Sequence, residues 1–432
     1  MRKYARYKDS GISWIGDVPE HWETKRLKYV VDDFCKGNGI TKEDVFLDGN
    51  VKCVRYGEIY SKYDISFSDC YSLTKKEFIT SPQYFSYGDI LFAGTGELVE
   101  EIGKNIVYLG NEKCLAGGDI IIAKHSQNPS FLNYALESKY CRYQKSYGKA
   151  KLKVVHISAG EIGNVIILLP PLSEQKAIAE YLDKKTAQIN ELVSAKQKQI
   201  ELLKEYKQSV IANAVTGKLN KNCRMKDSGI SWIGKIPENW DVHYLFQKVR
   251  EHFISNKEIH HQNLLSLSYG RIIQKDINKT DGLLPESFDT YQIVENGNVV
   301  LRLTDLQNDH KSLRVGYATQ EGIITSAYEC LEVFDKSLYS KFFYYQLHSF
   351  DVKKMFYGMG GGLRQNISYN ELRKIRIAYP PHSEQKEIVA YIEKKVSSID
   401  SQVASIENQI ANLNEYKQSL ISDVVTGKVK VC

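Results

Sequence analysis

The chain has 432 residues, of which 42% are hydrophobic and 25% charged, the composition of a folded protein of roughly two or three domains. This composition excludes wholesale disorder, collagen-like repeats and a small disulfide scaffold. The 58 basic and 52 acidic residues leave a formal charge of +6, which permits binding to nucleic acid without requiring it.

Cysteine usage and apolar runs indicate a reducing compartment and no membrane segment. The eight cysteines include no C-x-x-C pair, so neither a zinc ribbon nor a redox motif is indicated and we expect reduced thiols. Met1–Gly16 lacks the apolar core of a secretory signal, and runs such as Val165–Leu169 are too short to cross a bilayer. We therefore expect a cytoplasmic protein.

Two blocks of sequence occur twice. Lys8–Gly16 recurs letter for letter at Lys226–Gly234, 218 residues later. Pro170–Lys185 matches Pro380–Lys395 at ten of sixteen positions, 210 residues later. The chain is therefore two copies of one plan, in which a short tryptophan-containing lead precedes a variable segment and a long helical segment.

The repeats divide the chain into six segments. Further echoes link the two variable segments, since Gly88–Leu91 stands opposite Gly297–Val300 and His156–Ser158 opposite Asn366–Ser368. We predict two globular domains of one family with diverged surfaces. The segments are a lead at 1–22, a variable domain at 23–169, a central helical region at 170–222, a second lead at 223–240, a second variable domain at 241–379 and a C-terminal helical region at 380–432.

Each helical region begins after a Pro-Pro pair, because proline cannot lie inside a helix. The expected N-caps are Ser173 and Ser383, each followed by a glutamate in the first turn, where the helix dipole favours an anion. Gly217 and Gly427 are expected to end the helices. Each helix then has about 43 residues and is roughly 64 Å long.

Apolar residues in both helices follow the three- and four-residue spacing of a heptad seam, with Lys196, Lys207 and Lys417 as interruptions. We predict that the helices pair as an antiparallel intramolecular coiled coil, which relates the two domains by pseudo-twofold symmetry. A coiled coil between two chains is the alternative. The seam residues are Leu182, Thr186, Ile189, Val193, Ile200, Leu203 and Val210 in the first helix and Ile392, Val396, Ile399, Val403, Ile406, Ile410, Leu413 and Leu420 in the second.

The sequence resembles the specificity subunits of type I restriction–modification systems over essentially the whole chain. The resemblance is carried by the duplicated leads, the Pro-Pro-x-Ser-Glu-Gln-Lys helix starts, the Val-Thr-Gly-Lys helix ends, Gly88–Phe92 and Val300–Gln307. It implies an α+β fold in which two globular α/β target-recognition domains are joined by the two long helices. Because the two domains differ, the bipartite DNA site they read is expected to be asymmetric.

The resemblance also implies a subunit without catalytic activity of its own. Such a subunit binds double-stranded DNA and directs two methyltransferase subunits and, in the full complex, restriction/translocase subunits. S-adenosylmethionine, ATP and Mg are then expected in the partners, and no cofactor in this chain. The sequence itself has no G-x-x-x-x-G-K-[ST] loop and no Asn/Asp-Pro-Pro-aromatic motif, and His260–His261 lacks a third ligand at metal spacing.

Candidate DNA contacts are arginines, a basic loop and polar residues beside glycine clusters, since arginine pairs with guanine, glutamine and asparagine pair with adenine, and lysine contacts phosphate. A tight turn at Thr95, solvated loops and internal ion pairs are the alternatives. The candidates are Arg55, Tyr56, Thr95, Lys149, Lys151 and Lys153 in the first domain and Arg271, Arg302, Thr304, Arg314, Arg364, Gln365 and Asn366 in the second.

Aromatic residues of the repeats carry two further predictions. Tyr181, Tyr206, Tyr391 and Tyr416 lie off the seam at equivalent positions, and we predict that they dock the methyltransferase subunits; packing against the flanking domains is the alternative. The tryptophans of the leads, at 14, 22, 232 and 240, are expected to pack the leads against the helix ends; stacking on nucleic-acid bases is the alternative. Two other functions stay open from the sequence, namely a coiled-coil adaptor that binds only proteins and a stand-alone DNA-modifying enzyme with an unrecognised site.

Overall fold

The computed structural model describes residues 3–12, 15–76, 81–150, 154–220, 222–277, 287–359 and 365–431. It divides into two compact units: unit 1 comprises Met1–Lys196 with Glu407–Cys432, and unit 2 comprises Gln197–Ile406. The six segments predicted from the repeats follow one another along the chain. The two compact units, in contrast, are not successive stretches of sequence. Each long helix contributes residues to both units, and the C-terminal residues belong to unit 1.

Unit 1 is built mainly from antiparallel strands. Its larger sheets have the orders β4-β13-β9-β11-β6 and β7-β5-β12-β8, and β1-β2, β3-β15 and β10-β14 form two-stranded pairs. The strands are β1 (Tyr7–Asp9), β2 (Asp17–Pro19), β3 (Glu23–Arg26), β4 (Val31–Lys36), β5 (Val51–Val54), β6 (Ser66–Phe67), β7 (Ser72–Thr74), β8 (Tyr84–Phe85), β9 (Ile90–Ala93), β10 (Thr95–Gly96), β11 (Asn105–Tyr108), β12 (Cys114–Ala116), β13 (Ile120–His125), β14 (Val155–His156) and β15 (Ile166–Leu169). The helices are α1 (Tyr56–Ser61), α2 (Pro129–Glu137), α3 (Lys139–Ser146), α4 (Ala159–Gly163) and α5 (Leu172–Val215), of which the residues after Lys196 belong to unit 2.

Within the described residues, unit 2 repeats this plan with fewer strands. Its largest sheet has the order β19-β26-β23-β24, and β16-β17, β18-β27, β20-β21 and β22-β25 are pairs. The strands are β16 (Met225–Asp227), β17 (Lys235–Pro237), β18 (Asp241–Tyr244), β19 (Val249–Glu251), β20 (Leu265–Ser268), β21 (Arg271–Gln274), β22 (Gln292–Val294), β23 (Val299–Leu301), β24 (Val315–Tyr317), β25 (Gly322–Ile324), β26 (Glu329–Val333) and β27 (Arg376–Tyr379). The helices are α6 (Ser340–Val352), α7 (Tyr369–Leu372) and α8 (His382–Val425), of which the residues from Glu407 onward belong to unit 1.

The strands β9 and β23 are the equivalent central strands of the two units. All residues of β9 and β23 are buried, because successive side chains of a strand point to opposite faces and both faces are covered. Ile90 and Phe92 join one apolar cluster while Leu91 joins another, and Val299 and Val300 are divided in the same way. The echo between the two variable segments therefore marks the core strand of each unit.

The long helices begin two residues earlier than predicted, at Leu172 and His382 instead of Glu174 and Glu384. The carbonyl of Pro171 accepts the first intrahelical hydrogen bond, from the amide of Gln175 at 2.9 Å, and Pro381 accepts from Gln385 at 3.1 Å. Ser173 and Ser383 therefore lie inside the first turn and are not the N-caps, because the Pro-Pro carbonyl already supplies the acceptor.

The helix ends agree with the prediction. Gly217 and Gly427 follow the last helical residues with φ of +74° and +72°. The amides of Lys218 and Lys428 return to the carbonyls five residues earlier, both at 2.9 Å. This is the Schellman arrangement, which requires a residue in the left-handed region and therefore favours glycine.

The lysines that interrupt the seam have polar partners within their own unit. In unit 1, Lys196 Nζ donates to Gln409 at 2.5 Å, and Lys417 Nζ donates to Asn190 at 2.9 Å. In unit 2, Lys207 Nζ donates to both oxygens of Asp400, at 2.7 and 2.9 Å. From Asn190 to Lys196 the first helix moves forward in sequence, while the partners on the second helix move back from Lys417 to Gln409. The helix segments of unit 1 therefore pack antiparallel.

The tryptophans of the Pro-Glu-x-Trp leads are completely buried in their units. In unit 1, Trp22 Nε1 donates to Glu174 at 3.2 Å, and a Cβ at Gly427 would lie 3.4 Å from the same indole. In unit 2, Trp240 donates to Glu384 at 3.1 Å and lies equally close to Gly217. These two tryptophans thus pack between the start of one long helix and the end of the other, as predicted. Trp232 is half-buried against Phe350, and Trp14 lies outside the described residues.

Among the described residues, no helix combines the length and apolarity needed to cross a bilayer.

Candidate nucleic-acid interface

A short crossing follows the central strand of unit 1. After β9 the chain continues as Gly94, whose carbonyl accepts from the amide of Ile157 at 2.9 Å. Thr95–Gly96 pairs antiparallel with Val155–His156, and the Thr95 hydroxyl lies 3.0 Å from His156 Nδ1. The crossing therefore places the exposed imidazole of His156 at the end of the central strand.

Unit 2 has the same crossing with different side chains. The carbonyl of Leu303, just after β23, accepts from the amide of Ile367 at 3.0 Å. The amide of Asp305 donates to the side-chain oxygen of Asn366 at 3.0 Å. Asn366 is exposed and stands where His156 stands in unit 1. Both units thus present a polar side chain at one shared backbone crossing, and its chemistry differs between them.

A buried arginine organises the loop that follows the crossing in unit 2. The side chain of Arg314 is fully buried, and its Nη1 donates to the carbonyls of Arg302 and Thr304 at 3.1 and 3.0 Å. Its Nη2 donates to the carbonyl of Asp309 at 2.6 Å, and its Nε to the hydroxyl of Tyr357 at 3.2 Å. Because a guanidinium has five donors in a rigid fork, this one group fixes several main-chain positions of the loop.

The loop between Arg302 and Asp309 carries both signs of charge. Arg302 is half-buried and lies 3.6 Å from the carboxylate of Asp309. Hydrogen bonds from Ser312 and Lys311 lower the pKa of Asp309 to about 2, so its carboxylate is ionised at neutral pH. An ionised carboxylate accepts from the cytosine amino group and is repelled by phosphate, so it can discriminate between bases without adding general affinity.

Gln365 supports the same loop from the other side of the crossing. Its backbone has a φ of +43°, and its side-chain amide donates to the carbonyls of Tyr357 and Met359, both at 2.8 Å. Its own carbonyl accepts from Leu306 at 3.3 Å. The amide donors of Gln365 are therefore used inside the protein. The exposed neighbour Asn366 is the better presented of the two residues.

Two predicted DNA contacts are corrected by their burial. Arg314 has no exposed surface, and its guanidinium is hydrogen-bonded to main-chain carbonyls. It therefore supports the loop and does not touch a ligand. Thr95 is only 6% exposed, pairs with His156 in the β10–β14 ladder and has its hydroxyl against that histidine, so it is a structural strand residue and not part of a tight turn. In both cases the burial came from long-range packing that spacing along the chain does not reveal.

Other candidates of the first domain are held by ion pairs near the surface. Arg55 is half-buried and donates through Nε and Nη2 to Glu58, at 3.0 and 2.7 Å, while its neighbour Tyr56 is 39% exposed. Lys149 lies 2.5 Å from Glu161, and this contact together with the amide of Ser158 lowers the pKa of Glu161. These side chains are positioned by their carboxylate partners, and DNA contact by them stays a prediction.

The remaining candidates are placed in different ways. Arg271 is exposed at the start of β21, in the hairpin with β20, and Thr304 is half-buried with its carbonyl bonded to Arg314. Lys151, Lys153 and Arg364 lie outside the described residues.

Three of the four helix tyrosines predicted to dock partners are exposed. Tyr206, Tyr416 and Tyr391 are exposed at 52%, 50% and 37%. Tyr181 instead packs against the apolar cluster of unit 1, which is the alternative that the sequence left open. Equivalent positions of the repeat therefore have different surroundings in the two units.

No group of three or more His, Cys, Asp or Glu side chains suited to a metal ion occurs in the part of the chain that the structure describes. His260 and His261 lie 3.8 and 3.7 Å from Asp289 and Glu321 respectively, so each is near a separate carboxylate.

Sequence reasoning missed His156 as a presented residue and the loop contacts of Tyr357. The available signal was the echo of His-Ile-Ser at 156–158 and Asn-Ile-Ser at 366–368. In both units the isoleucine of this echo makes the crossing hydrogen bond, and the serine begins a capping box with Glu161 or Glu371. The residue before the isoleucine, His156 or Asn366, has neither of these two roles, so it can differ between the two units.

The fold and the two crossings are those of an internally duplicated protein in which each unit has one candidate binding surface formed by loops. The family model described as "Type I restriction modification DNA specificity domain" matches residues 19–202 and 309–412. The chain belongs to this family.

Known relatives match this chain over nearly its whole length, and solved structures share its fold. The chain is 26% identical over 436 residues to the putative type I restriction enzyme MjaX specificity subunit of Methanocaldococcus jannaschii, and the match covers 96% of each protein. It resembles a chain from a structural study of complex assembly and conformational transition of the type I R-M system, with a TM-score of 0.69, 14% identity and coverage of 95% and 99%. It also resembles the HsdS subunit from Thermoanaerobacter tengcongensis, with a TM-score of 0.50, 16% identity and coverage of 95% and 98%.

Proposed function

We propose that this chain is the DNA-sequence-specificity subunit of a type I restriction–modification complex and reads an asymmetric bipartite site, one part with each unit. The observation that carries the proposal is the shared crossing, in which Ile157 bonds to Gly94 and Ile367 to Leu303. One scaffold is used twice, and the residues presented on it, His156 and Asn366, differ. Imidazole and amide side chains have different donor and acceptor patterns, so the two units favour different bases.

The spacing between the two parts of the site comes from the long helices. We propose that α5 and α8 form the antiparallel intramolecular coiled coil over their full length. Support comes from the contacts of the three lysines, which place a polar partner at each interruption of the seam: Lys196 with Gln409 and Lys417 with Asn190 in unit 1, and Lys207 with Asp400 in unit 2. A rod of fixed length sets the number of base pairs between the half-sites, since one turn of B-DNA is about 34 Å.

The partners are double-stranded DNA, two methyltransferase subunits and, in the full complex, restriction/translocase subunits, and we place the complex in the cytoplasm. The exposed Tyr206 and Tyr416 support repeated docking of one partner type, because the same residue is presented once by each helix. This chain then has no catalytic role. S-adenosylmethionine, ATP and Mg act in the partner subunits.

The test is a genome-wide map of methylated adenines in the source strain, with and without this gene. We expect deletion to remove methylation at one asymmetric two-part motif, and re-expression of the gene to restore it. An exchange of Asn366 for His is the matched variant, since it places the residue of unit 1 on the crossing of unit 2. It should change one part of the motif only. An unchanged methylation map in a strain that expresses the partner methyltransferase would contradict the proposal.

A further inference from the structure

The groove beside the buried tryptophan is occupied in unit 1 by a residue of the N-terminal segment. Tyr4 packs edge-on against Trp22 with ring centroids 5.8 Å apart, and its hydroxyl donates to Glu174. Lys430 lies above the same ring, 5.7 Å from its centroid. Only 8% of Tyr4 is exposed, so this ring is part of the apolar cluster of unit 1.

Unit 2 has the corresponding groove without the tyrosine. The leads are offset by 218 residues, so the position that matches Tyr4 is Asn222, whose amide is bonded to the side chain of Asn220. In this unit a groove of about 400 Å³ lies beside Trp240, which is within the size range of binding sites for small groups, roughly 300–1,000 Å³. We call it the Trp240 groove; it is lined by Leu219, Pro237, Trp240, Glu384, Ile388 and Tyr391, among others.

Equivalent residues are more exposed in unit 2 than in unit 1. Leu219 is 41% exposed, whereas its counterpart Val429 is 8% exposed. Tyr391 is 37% exposed, whereas its counterpart Tyr181 packs against the cluster that contains Tyr4. The Trp240 groove therefore presents apolar surface that unit 1 covers with its own tyrosine.

The rim of the Trp240 groove is more acidic than that of its counterpart. Glu384 is shared with unit 1 as Glu174, and it accepts from Trp240 Nε1 at 3.1 Å and from the side chain of Asn239 at 2.9 Å. The exposed Glu387 stands where unit 1 has Ala177. Two carboxylates at the rim favour a ligand with positive charge.

We propose that the Trp240 groove binds a basic, tyrosine-bearing segment of a partner protein. The tyrosine ring packs against Trp240, Leu219 and Ile388, and its hydroxyl donates to Glu384, as Tyr4 does in unit 1. Lysine or arginine residues of the segment lie near Glu387. The segment of this chain that fills the unit 1 groove has the same character, since Lys3 and Arg6 flank Tyr4.

The test is titration of the full chain with a synthetic peptide of residues 1–9, MRKYARYKD, followed by fluorescence anisotropy in the absence of DNA. We expect saturable binding, and a loss of affinity of at least about tenfold when the fourth residue of the peptide is alanine, because the ring and its hydroxyl donor are both removed. Leu219→Glu and Glu387→Lys in the protein should each weaken binding to a similar degree. Leu202→Glu is the control, since Leu202 is 55% exposed on α5 and lies away from the groove.

Three outcomes would overturn the proposal: no binding up to about 1 mM peptide, where affinity is only about 4 kcal/mol; equal affinity for the tyrosine and alanine peptides; or binding that Leu219→Glu leaves unchanged. Sedimentation of the full chain addresses a second copy as occupant, because self-association abolished by Leu219→Glu would assign the groove to that copy instead. The measurement involves neither DNA nor methylation, so its failure would leave the proposed function unaffected.

Discussion

Trp22 donates its indole N–H to the carboxylate of Glu174 across 3.2 Å, and Trp240 makes the same bond to Glu384 across 3.1 Å. The tryptophan belongs to the repeated lead and the glutamate to the first turn of a long helix. One contact therefore joins two motifs that lie far apart in the chain, and it is made in both copies. The glutamate also lies at the positive end of the helix dipole. This contact explains why the Pro-Glu-x-Trp and Ser-Glu-Gln-Lys motifs occur together in both copies.

Replacing Trp22 by phenylalanine should destabilise unit 1. Phenylalanine keeps most of the apolar contact but removes the donor to Glu174, and a hydrogen bond to a charged group contributes about 1.5–3 kcal/mol. We expect a loss of that size in the free energy of unfolding, measured by urea denaturation and circular dichroism. Trp240→Phe should give a similar loss in unit 2. A midpoint unchanged by both substitutions would contradict this role of the indole N–H.

Glu174 should make the stability of unit 1 depend on acid pH. Burial raises the pKa of Glu174, but hydrogen bonds from Tyr4, His21 and Trp22 outweigh it and hold the pKa below its ordinary value of 4.5. The ionised carboxylate is therefore favoured in the folded state, and its stabilising contribution is complete above pH 4.5 and is lost as the pH falls through the folded pKa. Glu174→Gln should flatten this part of the stability curve, measured by denaturation between about pH 3 and 6. An unchanged slope would show that other carboxylates dominate.

Gly427→Ala should cost more stability than Gly16→Ala. Both glycines have φ near +73°, so alanine at either site meets the left-handed strain of about 1–2 kcal/mol. At Gly427 the new Cβ would also overlap Pro19, whereas at Gly16 no heavy atom of the described residues lies within 4 Å of it. Overpacking adds about 1–3 kcal/mol, which a pair of urea titrations resolves. Equal losses for the two variants would mean that the lead moves away from the helix end at no cost.

The sequence predicted the duplicated architecture and the helix ends because both depend on local signals. Proline pairs, the glycines at 217 and 427 and the heptad spacing each act within a few residues, and the structure differs from the prediction by two residues at the helix starts. The contacts of the interrupting lysines were not predictable, since the partner of Lys417 includes Asp64, which lies 353 residues away in the chain.

The candidate interface was predicted less well, for the same reason. Arginine was taken as a marker of DNA contact, but Arg314 is buried, and its guanidinium donates to four main-chain carbonyls of one loop and to the hydroxyl of Tyr357, 43 residues away in the chain. Composition and spacing cannot distinguish an arginine that turns inward from one that faces solvent. The echo at His156 and Asn366 carried the better signal, because a position that differs between two otherwise similar crossings is free to set specificity.

Alanine at Tyr206 and at Tyr416 should weaken binding of the methyltransferase subunit. Both side chains are half exposed on the long helices at positions 210 residues apart, so each should serve one copy of the same partner. We expect each single variant to lower affinity at one site by about tenfold or more, and the double variant to reduce the bound partner from two copies to none at matched concentration, measured by native mass spectrometry. Tyr87→Ala is the control, because Tyr87 is 61% exposed outside the helices. Two copies bound by the double variant would exclude these tyrosines as docking residues.

Arg314→Met should change the part of the DNA motif that unit 2 reads and leave the other part unchanged. Methionine fills much of the same buried volume but donates no hydrogen bonds, so the carbonyls of Arg302, Thr304 and Asp309 lose their common donor. The loop that contains Arg302, and whose Asp305 amide bonds to Asn366, is then no longer held. The measurement is the methylated motif of cells that carry the variant as their only copy. We expect degenerate bases on one side of the spacer and intact bases on the other. Arg314→Lys, which keeps the charge but has fewer donors in a different geometry, should give a weaker form of the same change. A purely structural role would instead lower methylation at the whole motif in proportion to the loss of thermal stability. Equal degeneracy in both parts of the motif would therefore contradict the positioning role of Arg314. An unaltered motif in a stable variant would contradict it as well.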